Sequence, residues 1–223
     1  MALLPAYERL AISRHLRLYV AVKPGCRPLV GVMNSADNET RQEGCARFNA
    51  AVIQAVKRLQ PRLVILNAHW IDTDSIVLTE QHLVAGPGTS NFKRALEYTL
   101  LTLGSSPHTV CAVLHVPTFK YSLPYAVGMA RRRGISEDFL IVRRSEALQE
   151  FRDPERDFVA LRQNGVLRTA DPKDVLCRAT TCTYEAHDAL LYADRDHLST
   201  EGALFVSDAI DACFVGISAA ASR

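Results

Sequence analysis

Asp194 and His197 stand three residues apart in the run Tyr192-Ala193-Asp194-Arg195-Asp196-His197-Leu198-Ser199. A histidine acts as a base when a carboxylate binds one ring nitrogen and fixes the tautomer. The other nitrogen can then take a proton from a hydroxyl nucleophile. The spacing suits such a pair, with Asp194 as orienter and His197 as base. It also suits a structural reading, in which Ser199 caps the next helix, Glu201 sits in its first turn and His197 packs against the loop. Asp196 is expected to face solvent. The hydroxyl that the pair would activate is harder to find. Ser13 falls on a helix, Ser35 and Ser75 in loops, and Ser199 is explained as a cap. None sits on the sharp strand-to-helix turn that exposes a nucleophilic serine.

The elements that must position the pair alternate between helix and strand. Residues 3–16 carry Leu3, Leu4, Tyr7, Leu10 and Ala11 at helical spacing, and Leu18–Val22 reads as a strand ended by Pro24-Gly25. A polar loop spans 26–40. A helix over 42–59 turns Cys45, Phe48, Val52, Ile53 and Val56 inward and stops at Pro61. The apolar run Leu63-Val64-Ile65-Leu66 reads as a buried parallel strand. Residues 71–88 read as loop. A helix over 90–103 buries Phe92, Ala95, Leu96, Thr99 and Leu100, and Val110–Leu114 is the next strand. Helices follow at 124–132 and 144–162, Val166-Leu167 reads as a short strand, and 200–217 is the closing helix. Strands separated by helices predict a parallel sheet covered on both faces. Catalytic groups then belong at the carboxyl ends of the strands, where the Asp194–His197 run lies.

The 223 residues are enough for one domain with a substantial core. A net charge of +2 gives no basic footprint for nucleic acid, and Arg131-Arg132-Arg133 reads as a solvated helix end. No stretch approaches the roughly 20 apolar residues of a membrane span. The N-terminus lacks the pattern of a signal peptide, so the chain expressed alone is expected in the cytoplasm. The six cysteines point the other way. Cys26 and Cys45 flank one polar stretch, Cys177 and Cys182 another, while Cys111 and Cys213 read as core thiols. Two staples are the pattern of an oxidising compartment. No metal is expected, since His69, His115, His187 and His197 offer no ligand spacing.

The segment Leu191–Ala203 resembles the last conserved block of SGNH-type hydrolases. More narrowly, the chain resembles the SGNH domain fused C-terminally to multi-span membrane acyltransferases that O-acetylate bacterial cell-surface glycans. Further segments agree in order: Val22–Leu29 with its cysteine and prolines, Cys45–Asn49, Val64–Trp70, Val113–Tyr125 with Pro117 and Pro124, and the Cys177/Cys182 pair. The resemblance covers nearly the whole chain. It implies a three-layer αβα sandwich with a parallel sheet of SGNH/flavodoxin-like type, forming a single domain over 1–223. It implies Ser-His-Asp chemistry with Asp194 and His197 in the aspartate and histidine roles, and Cys26, Cys45, Cys177 and Cys182 in disulfides. Asn67 is the candidate oxyanion donor, although Leu66-Asn67-Ala68-His69-Trp70 departs from the family's Gly-x-Asn-Asp pattern. His69 and Trp70 line the pocket or pack structurally.

The family's first block, a strand ending in Gly-Asp-Ser with the nucleophile, has no counterpart in the chain. It is expected just upstream of Met1, which would leave the domain N-terminally incomplete. The chain would then lack its first central strand and be inactive and marginally stable by itself. The partners implied are a glycan acceptor and an acyl donor delivered by a membrane acyltransferase domain, in the periplasm, with no cofactor and no nucleic acid. The alternatives are a secreted carbohydrate O-acetyl esterase of the same fold, or a non-catalytic glycan-binding or interaction module.

Overall fold

The computed structural model describes residues 2–70, 75–79, 90–104, 108–150, 152–178 and 180–217. Most of the loop expected over 71–88 lies outside them. In chain order the elements are α1 (Leu4–Ser13), β1 (Val32–Asn34), α2 (Glu39–Leu59), β2 (Leu63–Asn67), β3 (Ile76–Leu78), α3 (Asn91–Leu103), β4 (Thr109–Val113), α4 (Leu123–Arg133), β5 (Val142–Arg143), α5 (Arg144–Glu150), α6 (Arg152–Gln163), β6 (Arg168–Ala170), α7 (Lys173–Leu176), β7 (Thr181–Cys182), β8 (Glu185–Ala186), β9 (Ala189–Leu190), α8 (Thr200–Phe205) and α9 (Ser207–Ile210). They form a mixed α/β fold with a parallel sheet and helices around it. No described helix is long and apolar enough to cross a membrane.

Two compact units share the chain, each assembled from separate stretches. One comprises Val20–Leu114 and Arg152–Thr169, the other Met1–Tyr19, His115–Phe151 and Ala170–Arg223. The first unit is built on the sheet β2-β4-β6. β2 and β4 run parallel from Leu63 opposite Thr109 to Asn67 opposite Val113, so Asn67 ends its strand at the carboxyl edge. β1 and β3 form a separate antiparallel pair. Helix α3 begins at the N-cap Ser90, whose hydroxyl accepts the Lys93 N–H and donates to Asp157 of α6 at 2.6 Å. Its face of Phe92, Ala95, Leu96, Thr99 and Leu100 is buried, as the spacing predicts. Trp70, Phe92 and Phe158 meet edge-on, with centroids 5.0–6.0 Å apart, an arrangement that suits the ring quadrupoles. Buried Asn49 donates to the carbonyls of Arg27 and Leu29, fastening the cysteine loop to α2.

The second unit places α1 against α8 and α9. Ala6, Tyr7, Leu10 and Ala11 of α1 are buried, Arg9 donates to Ser207, and Arg14 pairs with Asp211. Lys173 is fully buried, with its ammonium 3.0 Å from Asp171 and donating to the His115 carbonyl. A buried cation held this way has its charge and its donors matched. Arg131, at the end of α4, pairs with Glu137 and Glu185, so one member of the arginine run is a bridge rather than a merely solvated charge.

Four local expectations are corrected. Residues 18–22 form no strand: no described residue ladders with them, and Leu18, Tyr19, Val20 and Val22 are exposed. A strand needs a partner as well as an apolar pattern. The helix expected over 144–162 is two, α5 and α6. Pro154 cannot donate to the carbonyl four residues back, and its ring crowds that carbonyl, so it is tolerated only in a first helical turn. The closing helix is broken into α8, α9 and a 3₁₀ turn at Asp211–Phe214; at the first break the Ser207 hydroxyl takes the Leu204 carbonyl for itself. Cys26–Cys45 and Cys177–Cys182 are disulfides. Cys111 and Cys213, read as thiols, are disulfide-bonded too, and none of the described cysteines is free. Burial and apolar surroundings do not distinguish a thiol from a half-cystine, which is why the sequence missed them.

Candidate active site

The run that carries Asp194 and His197 lies wholly within the second unit, between the β8–β9 hairpin and α8. In the hairpin Ala186 faces Ala189, which leaves His187 and Asp188 as a two-residue turn. Both have positive φ, 50° and 61°, as a type I′ turn demands. The chain then passes through Leu191, doubles back through a bridge between Tyr192 and Leu198, and enters α8 at Ser199. The Ser199 hydroxyl accepts the Gly202 N–H and donates to the Leu190 carbonyl. It is the cap the sequence suggested. Gly202 presses against the loop, because a Cβ there would lie 1.9 Å from the Leu191 carbonyl oxygen. Ala193 N–H to His197 carbonyl, 2.8 Å, closes the base of the loop.

Inside that closure both carboxylate oxygens of Asp194 are engaged. Its Oδ1 accepts the backbone N–H groups of Asp196 (2.9 Å) and His197 (2.7 Å), and its Oδ2 lies 2.8 Å from His197 Nδ1. The first oxygen makes an Asx-type turn that shapes the loop, and the second engages the ring. Asp196 Oδ1 is also 3.0 Å from Nδ1. This corrects the expectation that Asp196 faces solvent: its side chain is only 21% exposed, because the turn folds it back beneath the imidazole. With two carboxylate oxygens at Nδ1, that nitrogen carries the proton, and Nε2 of the neutral ring is an acceptor. The His197 side chain is 65% exposed, and no hydroxyl of a described residue binds its Nε2. Partial burial pushes the Asp194 carboxyl upward, but the Asp196 and His197 N–H groups and the His197 ring outweigh it, and the pKa is held down to about 2. Asp194 therefore stays an anion through the working range of a histidine base.

Two contacts that the sequence did not reveal hold the loop from below. The Phe119 N–H donates to the Arg195 carbonyl at 2.8 Å and the Leu123 N–H to the Asp194 carbonyl at 3.2 Å. Phe119, fully buried, packs edge-on against Tyr192 (4.9 Å) and Tyr184 (5.9 Å). The only sequence signal was the pair of prolines at 117 and 124, which marks the segment but not what it touches.

Asp194, Asp196 and His197 are thus brought together, with ligand atoms within 4.8 Å of one another. A divalent cation could use such atoms, while the hydrogen bonds at Nδ1 suit a proton-transfer pair. Asn67, His69 and Trp70 belong to the first unit. Asn67 is half-buried at the carboxyl end of β2, and His69 is exposed. Trp70 is fully buried and its indole N–H donates to the Val113 carbonyl at 2.9 Å, so it is placed as core.

Comparison with known proteins bears on these residues as a set. No curated protein matches the chain. Among solved structures, the periplasmic domain of a lipopolysaccharide acetyltransferase from Salmonella ser. Paratyphi A is similar, with a TM-score of 0.67 at 15% identity, over 96% of this chain and 79% of that one. At that identity the likeness is one of fold. The family model described as "SGNH domain (fused to AT3 domains)" matches residues 1–212, and the chain belongs to that family.

Proposed function

We propose that Asp194 and His197 are the aspartate and histidine of a Ser-His-Asp acyl-transfer centre, acting in the periplasm to move an acetyl group onto a hydroxyl of a cell-surface glycan. The observation that carries the reading is the geometry at His197: Nδ1 bound to a carboxylate held ionised, on a largely exposed ring whose Nε2 is bound by no hydroxyl of a described residue. Such a ring takes a proton from a serine hydroxyl as that oxygen attacks the acyl carbonyl, and returns it to the departing group. In the second half-reaction it takes the proton of the sugar hydroxyl that attacks the acyl-serine. The name of the family, with its fusion to AT3 domains, supports an acyl donor delivered by a membrane partner. The oxidised state of all six cysteines supports an oxidising compartment. Asn67 is proposed as an amide donor to the oxyanion, and His69 as a pocket-lining residue.

None of the described serines accompanies His197, so the 223 residues alone are expected not to turn over an activated ester. The measurement is hydrolysis of p-nitrophenyl acetate by the chain against its His197→Ala variant. A His197-dependent rate would show that the chain supplies its own nucleophile. In cells where the domain is joined to an AT3 domain, Asp194→Asn and His197→Ala should each reduce glycan acetylation by roughly 10³–10⁴-fold, on the scale set by serine triads. Undiminished acetylation in either variant would remove the pair from the mechanism.

A further inference from the structure

The segment that holds the catalytic loop from below continues into an exposed aromatic groove. Phe119 and Leu123 bind the Arg195 and Asp194 carbonyls through their N–H groups. Between them Tyr121 is exposed, and one turn into α4 Tyr125 is 70% exposed. Tyr121 meets Phe139 edge-on at 5.9 Å, and Ile135 and Arg133 complete a groove against the exposed side of α4. Four large apolar side chains on one stretch of surface, each partly uncovered, are more than scattered exposure. Three of them are aromatic and two carry a phenol, so the surface is apolar in its body and polar at its tips.

Two cations stand at the groove, and Arg133 is the charged residue in its lining. The Lys120 ammonium lies 5.2 Å from the Tyr121 ring centroid, and Arg133 lines the groove. Neither forms an ion pair with a described residue. Arg131, by contrast, is neutralised by Glu137 and Glu185. Flat aromatic faces accept the C–H face of a pyranose ring, and a cation beside them accepts a carboxylate or phosphate on that ring or the next one. A peptide or lipid would meet the same apolar faces, but the two unpaired cations beside the phenols favour an anionic, hydroxylated ligand.

We propose that Tyr121, Tyr125 and Phe139, with Lys120 and Arg133, form a subsite for an acidic sugar of the acceptor glycan. The assignment rests on the acyl-transfer reading for its biological substrate, because Tyr121 lies between the two residues that anchor the Asp194–His197 loop. Its binding chemistry can be tested without turnover.

The probe is tetragalacturonate, with neutral maltotetraose as comparison, titrated into the full chain and followed by NMR. The expected result is saturable binding of the acidic oligosaccharide with shifts at Tyr121, Tyr125 and Arg133. Tyr125→Ala should weaken it about five- to tenfold, in line with the loss of one stacking contact. Tyr125→Trp should retain it, which separates stacking from misfolding. Arg133→Gln should abolish the preference over maltotetraose, and His197→Ala should leave binding unchanged. Equal affinity for the two oligosaccharides, unaltered binding by Tyr125→Ala, or shifts confined to other surfaces would overturn the proposal. So would occupation of the groove by detergent micelles in place of either sugar. Loss of acetylation in His197→Ala with intact binding would leave the subsite standing beside the catalytic reading, whereas binding lost only in groove variants tests the subsite alone.

Discussion

Asp194 does two things with one carboxylate, and each depends on its charge. Its folded pKa of about 2 lies below the ordinary 3.8. A depressed carboxylate contributes stability above its unfolded pKa, and that contribution is lost as pH falls through the folded value. The contribution of this group is therefore complete above about pH 4 and disappears between about pH 4 and pH 2. Carbon-13 NMR of the Asp194 carboxyl should give a midpoint of about 2. A midpoint near 4 would mean that the Asp196 and His197 N–H bonds and the His197 contact do not hold in solution. Because the loop turn and the ring orientation draw on the same anion, acid should loosen both together.

At the scale of elements, the pair is positioned by close approaches rather than by long regular structure. The loop is closed at its ends by Leu191, Tyr192, Leu198 and Ser199, and α8 is seated on the Leu191 carbonyl through Gly202. Gly202→Ala would drive a methyl into that carbonyl, and the backbone would have to move. The expected cost is about 1–3 kcal/mol, read as a lower urea midpoint. Gly128→Ala is the contrast: it lies in α4 with nothing near its missing Cβ, so alanine should raise stability by about 0.5–1 kcal/mol. Equal effects of the two substitutions would show that the Leu191 approach is not tight. α4 itself supports the Asp194–His197 loop at its first turn, where the Leu123 N–H, one of the donors a helix leaves unsatisfied, is given to the Asp194 carbonyl.

At the scale of the molecule, covalent links reinforce a fold whose regular strands are short. Cys26–Cys45 joins positions 19 apart and ties to α2 the same loop that Asn49 of that helix holds by hydrogen bonds. On the chain-entropy account, closing a loop of that size contributes about 3 kcal/mol. The Cys26→Ala/Cys45→Ala double variant should lose about that much in equilibrium urea denaturation. Reduction of the parent chain should cost more, since Cys111, Cys177, Cys182 and Cys213 are oxidised as well. A parent chain whose melting temperature is unmoved by reductant would show that the disulfides carry little of the stability.

The sequence by itself determined the features that depend on near neighbours. The helical spacing of Phe92, Ala95, Leu96, Thr99 and Leu100, the apolar run of β2, the cap at Ser199 and the Asp194–His197 spacing are all local, so they could be read from order and period alone. So could the two disulfides that flank polar stretches. The tertiary structure alone decided whatever needs a partner from elsewhere in the chain. Residues 18–22 have the pattern of a strand and no ladder partner. Cys111 and Cys213 have the surroundings of thiols and are oxidised, and Trp70, beside the candidate oxyanion donor in sequence, is core. Asp196 turns under His197 because the Asx turn folds it there, and Phe119 and Leu123 support the loop from more than seventy positions away. Period and propensity register what a residue prefers, whereas ladders, disulfides and anchoring hydrogen bonds exist only when two distant segments meet.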